Sequence, residues 1–337
     1  MENLFGKTLE ELKQIVQQHN SPAFTAKQIA DWLYKKQVES IDGMTNLSKI
    51  ARENLKKNHT IVRTKPLYEA ISVDGTKKYL FQTKNGNIET VFIPEEDRAT
   101  VCVSSQVGCK MQCKFCMTGK QGFAGNLSSG EILNQIFSLP DAQTLTNMVL
   151  MGMGEPFDNF DEVIKALTIL TSDWGYAWSP RRITVSTVGL IPGIKRFLNE
   201  SECHLAISLH HPFSQEREKI MPIEKAYSTE KVLYELKKNP IKGQRRLSFE
   251  YIVFDGLNDT IRHARELTKR LNGINCRVNL IKFHSTPNSE FKSPSQEKME
   301  QFRNYLNENN IICTIRRSRG EDIAAACGLL STKEDNK

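Results

Sequence analysis

The strongest constraint on the fold is an alternation of short apolar runs and helical stretches that begins near residue 98. Six apolar runs have the length of buried strands, and stretches with helical spacing separate them. These runs cover residues 100–105, 148–151, 182–186, 204–209, 247–253 and 276–281. Six βα units predict an α/β domain with a parallel sheet, either open and doubly wound or a partial barrel. In both architectures the chemistry belongs at the carboxyl ends of the strands.

The sequence also predicts the helices of this domain. One begins at Ser128, which has capping-box spacing to Glu131, and the others are predicted from apolar periodicity. They cover residues 160–170, 229–238, 260–271 and 296–308. The sequence therefore predicts a core domain over residues 98–330, followed by a disordered tail over 331–337.

Two smaller regions precede this core. Residues 1–65 have capping boxes at Thr8 and Thr25, and a later stripe of Leu47, Ile50, Ala51 and Leu55 indicates a third helix. This module contains 11 basic and 7 acidic residues, so it suits either RNA docking or a solvated helical cap. Residues 66–97 predict a β-meander linker, because Asp74-Gly75 and Asn85-Gly86 are strong hairpin turns.

Composition and the lengths of the apolar runs indicate the cellular compartment in which the protein acts. The 337 residues carry 46 basic and 39 acidic side chains, a net charge of +7 that permits an anionic partner without requiring one. The longest apolar runs are far shorter than the roughly 20 residues of a membrane span. The N-terminus lacks the apolar segment of a secretory signal. We therefore expect a cytoplasmic protein without membrane contact, whose eight cysteines are reduced thiols or metal ligands.

The sharpest chemical feature is a C-x3-C-x2-C run formed by Cys109, Cys113 and Cys116, in the loop after the first strand. Three thiolates at this spacing can ligate three irons of a [4Fe–4S] cluster and leave the fourth iron open. A zinc site would need a fourth ligand, and no histidine lies between His59 and His204. A redox dithiol would leave Cys109 unexplained. Both alternatives remain open but fit the three cysteines less well.

Polar residues at the ends of later strands add to this pattern. Gly154 and Glu155 follow the second run, where a glycine lets the backbone approach a ligand and a carboxylate can accept from an ammonium group. Comparable positions recur at Ser186, at Ser208-Leu209-His210 and at Asn279. Each alone is as easily a satisfied strand-end group, but their repetition favours a cofactor site.

The cysteine run, with Phe115 before its last cysteine, resembles the radical S-adenosylmethionine (radical SAM) superfamily. That resemblance implies a partial (β/α)6 TIM-like barrel, a [4Fe–4S] cluster on Cys109, Cys113 and Cys116, and S-adenosylmethionine bound at the open iron. It also implies that Gly154, Glu155, Ser186, Ser208, Leu209, His210 and Asn279 contact S-adenosylmethionine.

Longer motifs narrow the resemblance. Residues 101–109, 319–328, 88–91 and 151–156 closely resemble the RlmN/Cfr-type RNA methyltransferases, which methylate an adenine ring carbon. The resemblance covers residues 1–330 and implies two S-adenosylmethionine per turnover, with Cys327 methylated as an intermediate and Cys102 closing a transient disulfide with it. Glu89 matches the position of the proton acceptor. The residues around Cys102 by themselves favour a core cysteine, and an edge-strand position would explain Glu89 as easily as catalysis.

Pro156 favours the RlmN branch, which methylates carbon 2 of adenosine, over the Cfr branch, which methylates carbon 8. The resemblance therefore implies 23S rRNA, at adenosine 2503, and adenosine 37 of tRNA as substrates. It also implies an electron donor such as flavodoxin or ferredoxin, and we expect a monomer. Two alternatives are a radical SAM enzyme with a non-RNA substrate and a zinc-dependent nucleic-acid-binding protein without catalysis.

Overall fold

The computed structural model describes residues 1–285 and 289–332. Of the predicted tail, residues 333–337 lie outside the described residues. The chain begins with a small module of short helices and strands, and a π-helical turn, Asp31–Lys35, continues its second helix. Its elements are β1 (Glu2–Asn3), α1 (Leu9–Gln18), α2 (Thr25–Ala30), α3 (Lys49–Asn58) and β2 (His59–Thr60).

The capping prediction for this module is half right. At α1 the Thr8 hydroxyl accepts from the Glu11 amide at 3.3 Å, and the Glu11 carboxylate accepts from the Thr8 amide at 2.8 Å. The box predicted at Thr25 is wrong, because Thr25 is the buried first residue of α2, after an uncapped Phe24. The stripe predicted for α3 is also incomplete, since Ile50 is 75% exposed. Spacing alone does not show which face meets the rest of the protein.

The predicted meander forms three antiparallel strands, β3 (Tyr68–Ile71), β4 (Lys77–Thr83) and β5 (Gly86–Pro94). Both hairpin turns lie where the sequence predicts them. Gly75 takes φ +83° in the first turn, a backbone conformation that glycine adopts without steric strain. The meander continues the sheet of the core, since β5 pairs with the first core strand.

The core alternates strands and helices as predicted, and all six predicted runs contain strands. A seventh strand that pairs in parallel, β14, follows the last helix and was not among the six. The core elements are β6 (Ala99–Cys102), β7 (Gln106–Gly108), α4 (Met117–Gln121), β8 (Phe123–Asn126), α5 (Ser129–Phe137), β9 (Asn147–Leu150), α6 (Phe160–Thr171), β10 (Ile183–Thr187), α7 (Ile191–Glu200), β11 (His204–Ser208), α8 (Ser214–Ile220), α9 (Thr229–Lys238), β12 (Leu247–Val253), α10 (Ile261–Leu271), β13 (Arg277–Lys282), α11 (Gln296–Glu308) and β14 (Ile312–Ile315).

Strand order decides between the two predicted architectures. In the described chain the main sheet has the order β14-β13-β12-β11-β10-β9-β6-β5-β4-β3, and the strands from β6 to β14 are parallel. The order never reverses, whereas a doubly wound sheet reverses at its switch point. The fold is therefore the predicted partial, TIM-like barrel, with β14 and β3 as its two edges. Strands β7 and β8 form a separate hairpin.

Residues 316–332, which we call the strap, run from β14 back to the other side of the sheet. The Gly320 amide donates to Asp74 at 3.0 Å, and Asp322 accepts from the Ser72 hydroxyl at 2.5 Å in the β3–β4 turn. Further along, the Ser331 amide donates to Glu89 of β5 at 2.8 Å. The strap thus connects the two sides of the open barrel. Its Ser331 is buried, although this residue begins the segment predicted as a disordered tail.

A buried ion pair fixes the carboxyl ends of β10 and β11. Arg217 of α8 is fully buried and pairs with the equally buried Glu224. Its remaining donors meet the carbonyls of Val188, Ser208 and Leu209 at 2.8–3.0 Å. Among the helices that the structure describes, none is long and apolar enough to cross a membrane.

We predict that Arg217→Met lowers the free energy of unfolding by about 3–5 kcal/mol, because it leaves the Glu224 carboxylate buried without its cation. Denaturant unfolding of the full chain measures this loss. The double variant Arg217→Met/Glu224→Gln is expected to be more stable than the single variant. Arg196→Met, at an exposed ion pair, serves as the control and should change little. Equal losses in Arg217→Met and Arg196→Met would contradict the prediction.

Candidate active site

A cavity opens at the carboxyl ends of the parallel strands. It brings together most of the residues singled out from the sequence. Nine of them line it: Cys109, Cys113, Cys116, Gly154, Glu155, Ser186, Ser208, His210 and Cys327. The remaining four, Glu89, Cys102, Leu209 and Asn279, are not among its lining residues.

The cysteine triplet occupies the loop between β7 and α4. Gly108, at φ +71°, turns the chain into this loop, and a Cβ there would lie 1.6 Å from the Gly122 carbonyl oxygen. The Cys109 amide then donates to Gly122 at 3.0 Å, and the Cys116 amide donates to Cys113 at 3.1 Å. These contacts fold eight residues so that all three thiols face one cavity.

Burial makes these thiols poor acids in isolation. It raises the pKa of Cys109 to about 12 and that of Cys113 well above its ordinary value. Each of the two pKa values rises further because of the neighbouring Cys116 thiol. Bound metal supplies the positive charge that would stabilise three adjacent thiolates.

The spacing of the sulfur atoms favours a cluster over a single ion. Ligands of one tetrahedral zinc lie roughly 4 Å apart, given Zn–S bonds of about 2.3 Å. Among the described residues, the three cysteine sulfurs do not all lie within 4.8 Å of one another. A cubane in which each sulfur binds a different iron tolerates this wider spacing. The triplet therefore fits a [4Fe–4S] cluster.

The turn after β9 places a carboxylate opposite the triplet. Gly154 has φ +98°, and a Cβ there would lie 2.5 Å from Gln106, so glycine is required by packing as well as by conformation. Glu155 is buried and accepts from the amides of Phe157 at 3.0 Å and Val188 at 2.9 Å. Burial raises the pKa of Glu155 to about 7. A cationic ligand in the cavity would compensate its charge.

The next two strands contribute uncharged polar groups. The hydroxyls of Ser186 and Ser208 lie 3.4 Å apart at the ends of β10 and β11. His210 follows at φ +57°, and its Nδ1 accepts from the Ile252 amide at 3.0 Å. Burial lowers the pKa of His210 to about 3. The ring is therefore neutral at physiological pH and carries its proton on Nε2.

Asn279 and Leu209 stand behind the cavity wall. The Asn279 amide donates to Glu250 of β12 at 2.8 Å, and Glu250 itself lines the cavity. The second oxygen of Glu250 is buried without a hydrogen-bond partner among the described residues. Glu250 was not among the predicted site residues, although a carboxylate inside the apolar run 247–253 is a visible signal. Leu209 is a core residue whose carbonyl accepts from Arg217.

Cys327 brings the strap into the cavity. Cys327 lines the open cavity and is exposed there. Desolvation by the surrounding protein raises the pKa of the Cys327 thiol, and the positive charge of Arg316 opposes that rise. The strap is held to the cysteine loop, since the Met117 amide donates to Gly328 at 2.8 Å. The Thr118 hydroxyl likewise donates to Leu330 at 2.7 Å. The thiol is thus fixed beside the cysteine triplet.

The two cysteines expected to react with each other are neighbours. Cys102, at the end of β6, is buried, which raises its pKa to about 12, and the charge of Cys327 contributes to that rise. Cys102 pairs with Val91, so Glu89, two residues before Val91, lies on the same face of the sheet. Glu89 is buried, and its carboxylate accepts from Lys78 at 2.7 Å.

Comparisons with known proteins agree with this geometry. The family model for the ribosomal RNA large subunit methyltransferase N-terminal domain matches residues 2–61, and the radical SAM superfamily model matches residues 103–268. A Phocaeicola vulgatus protein named a probable dual-specificity RNA methyltransferase RlmN is 58% identical over 99% of this chain and 96% of its own length.

More distant relatives have the same length and fold. The dual-specificity RNA methyltransferase RlmN of Nitratiruptor is 44% identical over 99% of this chain and 98% of its own. A crystal structure of a radical SAM methyltransferase from Sphaerobacter thermophilus is 39% identical, with a TM-score of 0.90 over 98% of this chain and 99% of that one. The chain therefore belongs to the RlmN family, the radical SAM RNA methyltransferases that use a [4Fe–4S] cluster and S-adenosylmethionine.

Proposed function

We propose that this enzyme methylates carbon 2 of adenosine, at position 2503 of 23S rRNA and at position 37 of tRNA. The observation that carries the proposal is the position of Cys327, whose thiol lines the same cavity as the cysteine triplet and lies beside Cys102. The relatives' names, which specify dual-specificity RNA methyltransferases, support two kinds of RNA substrate. Pro156 supports the carbon-2 branch.

Different residues of the cavity wall would bind the cluster and S-adenosylmethionine. The triplet Cys109, Cys113 and Cys116 would hold the cluster. Glu155 would accept from the ammonium group of S-adenosylmethionine, next to the close backbone approach at Gly154. When bound, the two groups supply a methyl group and the means to abstract a hydrogen atom. Further polar contacts would come from Ser186, Ser208, His210, Glu250 with Asn279 behind it, and the backbone at Leu209.

Cys327 is the nucleophile and the methyl carrier in this proposal. Adenine carbon 2 is an electron-poor carbon and does not attack a methyl sulfonium, whereas a thiolate does so readily. The Arg316 guanidinium favours the thiolate of Cys327. The methyl group is then held as a thioether on Cys327. After it loses one hydrogen atom, its carbon can bond to the ring carbon while the strap keeps the sulfur in the cavity.

Glu89 is the proton acceptor for the ring hydrogen at carbon 2. Two contacts orient its carboxylate: the Lys78 ammonium at 2.7 Å and the Ser331 amide at 2.8 Å. The second contact comes from the strap that carries Cys327. The base and the methyl carrier are therefore held by the same segment, which fixes their separation.

Cys102 releases the product. Its thiolate attacks the Cys327 sulfur, a disulfide forms, and the carbon–sulfur bond to the RNA breaks; the released carbon keeps the electron pair and takes up a proton to become the new methyl group. Two electrons must then reduce the disulfide before another turnover. We further propose a monomer that acts in the cytoplasm, with flavodoxin or ferredoxin as its electron donor.

Replacing the two reacting cysteines should give opposite phenotypes. Cys327→Ala is expected to yield no methylated RNA, because the methyl carrier is gone. Cys102→Ala is expected to accumulate a covalent protein–RNA adduct, seen as a shifted band with labelled RNA. Cys276→Ala, at a cysteine distant from this chemistry, is the control. Nucleoside mass analysis of the product should show 2-methyladenosine; 8-methyladenosine, or methylation by Cys327→Ala, would refute the proposal.

Removing the charge of Glu155 should weaken cofactor binding. Glu155→Gln keeps the shape of the side chain but loses the charge-assisted hydrogen bond to an ammonium group, so the Kd of S-adenosylmethionine should rise roughly 10- to 100-fold. Calorimetry on cluster-loaded protein measures the Kd, and iron content checks the fold. Asp161→Asn, an exposed carboxylate on α6, should bind normally. An unchanged Kd in Glu155→Gln would remove Glu155 from the site.

Lys78 should affect the second half of the reaction only. Lys78→Met removes the Lys78 ammonium group that orients the Glu89 carboxylate, so RNA methylation should fall roughly 10- to 100-fold while methylation of Cys327 continues. Mass spectrometry of the protein follows Cys327, and labelled RNA follows the adduct, which should accumulate. Lys78→Arg should restore part of the rate. A parallel loss of Cys327 methylation would indicate that Lys78 is merely structural.

A further inference from the structure

Two imidazoles and a carboxylate meet outside the cofactor cavity. His211 follows β11, Glu216 lies in α8 and His263 lies in α10. The two histidines are buried and Glu216 is half-buried. One ligand atom from each residue lies within 4.8 Å of the other two, which makes this a second possible metal site beside the cysteine triplet in the described chain.

The two imidazoles are incompletely paired. The Nε2 atoms of His211 and His263 are buried and have no hydrogen-bond partner among the described residues. The Oε2 atom of Glu216 lies 3.3 Å from the first and 3.8 Å from the second, so one carboxylate oxygen faces both rings. Buried polar atoms without partners are rare because each is unfavourable. Two such atoms facing one carboxylate indicate a missing partner between them.

The distances match a shared ion. Zinc binds imidazole nitrogen and carboxylate oxygen at about 2.0–2.2 Å, which places tetrahedral ligands roughly 3.4 Å apart. The observed separations of 3.3 and 3.8 Å bracket that value.

We propose that His211, Glu216 and His263 bind one divalent transition-metal ion, with zinc as the best match to two imidazoles and a carboxylate. Nδ1 of His263 lies 2.7 Å from the Thr260 hydroxyl, which can accept its proton when Nε2 is coordinated; the 3.4 Å hydrogen bond from the Thr260 amide to this nitrogen is then lost. At His211, coordination replaces the 3.2 Å hydrogen bond from the Phe213 amide to Nδ1. One such bond contributes much less than metal coordination by three ligands.

The ion would stabilise the loop after β11, which forms part of the wall of the active site. His211 directly follows His210, which lines the cofactor cavity, and His263 belongs to a different βα unit. A shared metal therefore connects the loop after β11 to α10. Arg262 reaches the same carboxylate at 3.8 Å, but through Oε1, so Oε2 remains directed at the histidines.

Zinc stoichiometry tests the proposal. The full chain is loaded with its cluster without oxygen, passed over chelating resin, given Zn²⁺ and desalted. We expect one zinc per chain in addition to the cluster iron, and a higher midpoint of thermal unfolding. His263→Gln and Glu216→Gln should each weaken zinc binding at least about tenfold while iron content stays constant. Arg262→Gln, a matched change beside the site, should keep the zinc.

Cobalt distinguishes this site from the cysteine triplet. Co²⁺ bound to His211, Glu216 and His263 should give tetrahedral absorption bands without the charge-transfer bands of thiolate ligands. Those bands should disappear in His263→Gln. Thiolate bands, no zinc beyond the cluster metal, or equal zinc in the wild type and both ligand variants would each overturn the proposal. None of these readouts depends on RNA methylation, so the proposed function is tested separately.

Discussion

Burial of ionisable groups around one cavity is the constraint on which the active site depends. The thiol of Cys109, the carboxyl of Glu155 and the imidazole of His210 belong to three chemical classes, and burial shifts the pKa of each toward its neutral form. In such a cavity the charged forms of these groups are unstable unless a bound ligand supplies opposite charge. Metal cations bound by the cysteines and a cationic cofactor bound beside Glu155, as proposed, would supply the charge that its walls lack.

The sheet determines which residues can meet in this cavity. Parallel pairing from β6 to β14 gathers loops that are far apart in sequence at one end of the barrel, while the antiparallel extension through β5 adds Glu89 to the same sheet. The strap then returns from β14 and contacts both the cysteine loop and Glu89. As a result, residues 89, 102, 109 and 327 become neighbours although no short motif contains them all.

Features governed by local physics could be predicted from the sequence. Capping at Thr8 and Ser128, both hairpin turns and the six strand runs depend on neighbouring residues, and the structure contains them. Thr25 and Ile50 could not be placed, because their environments depend on which helix face packs against the rest of the protein. Glu250 was missed and Asn279 lies one layer behind the cavity, since a polar residue in an apolar run does not reveal the direction of its side chain.

An open sheet has a consequence for the size of substrate that it admits. A closed eight-stranded barrel is filled by its own side chains and accepts large substrates only at its rim. Here the barrel wall is interrupted between β14 and β3. The strap, which contains no strand, connects the two edges in place of further strands. A substrate that approaches this side of the barrel therefore meets the strap, the segment that carries Cys327, instead of a further strand.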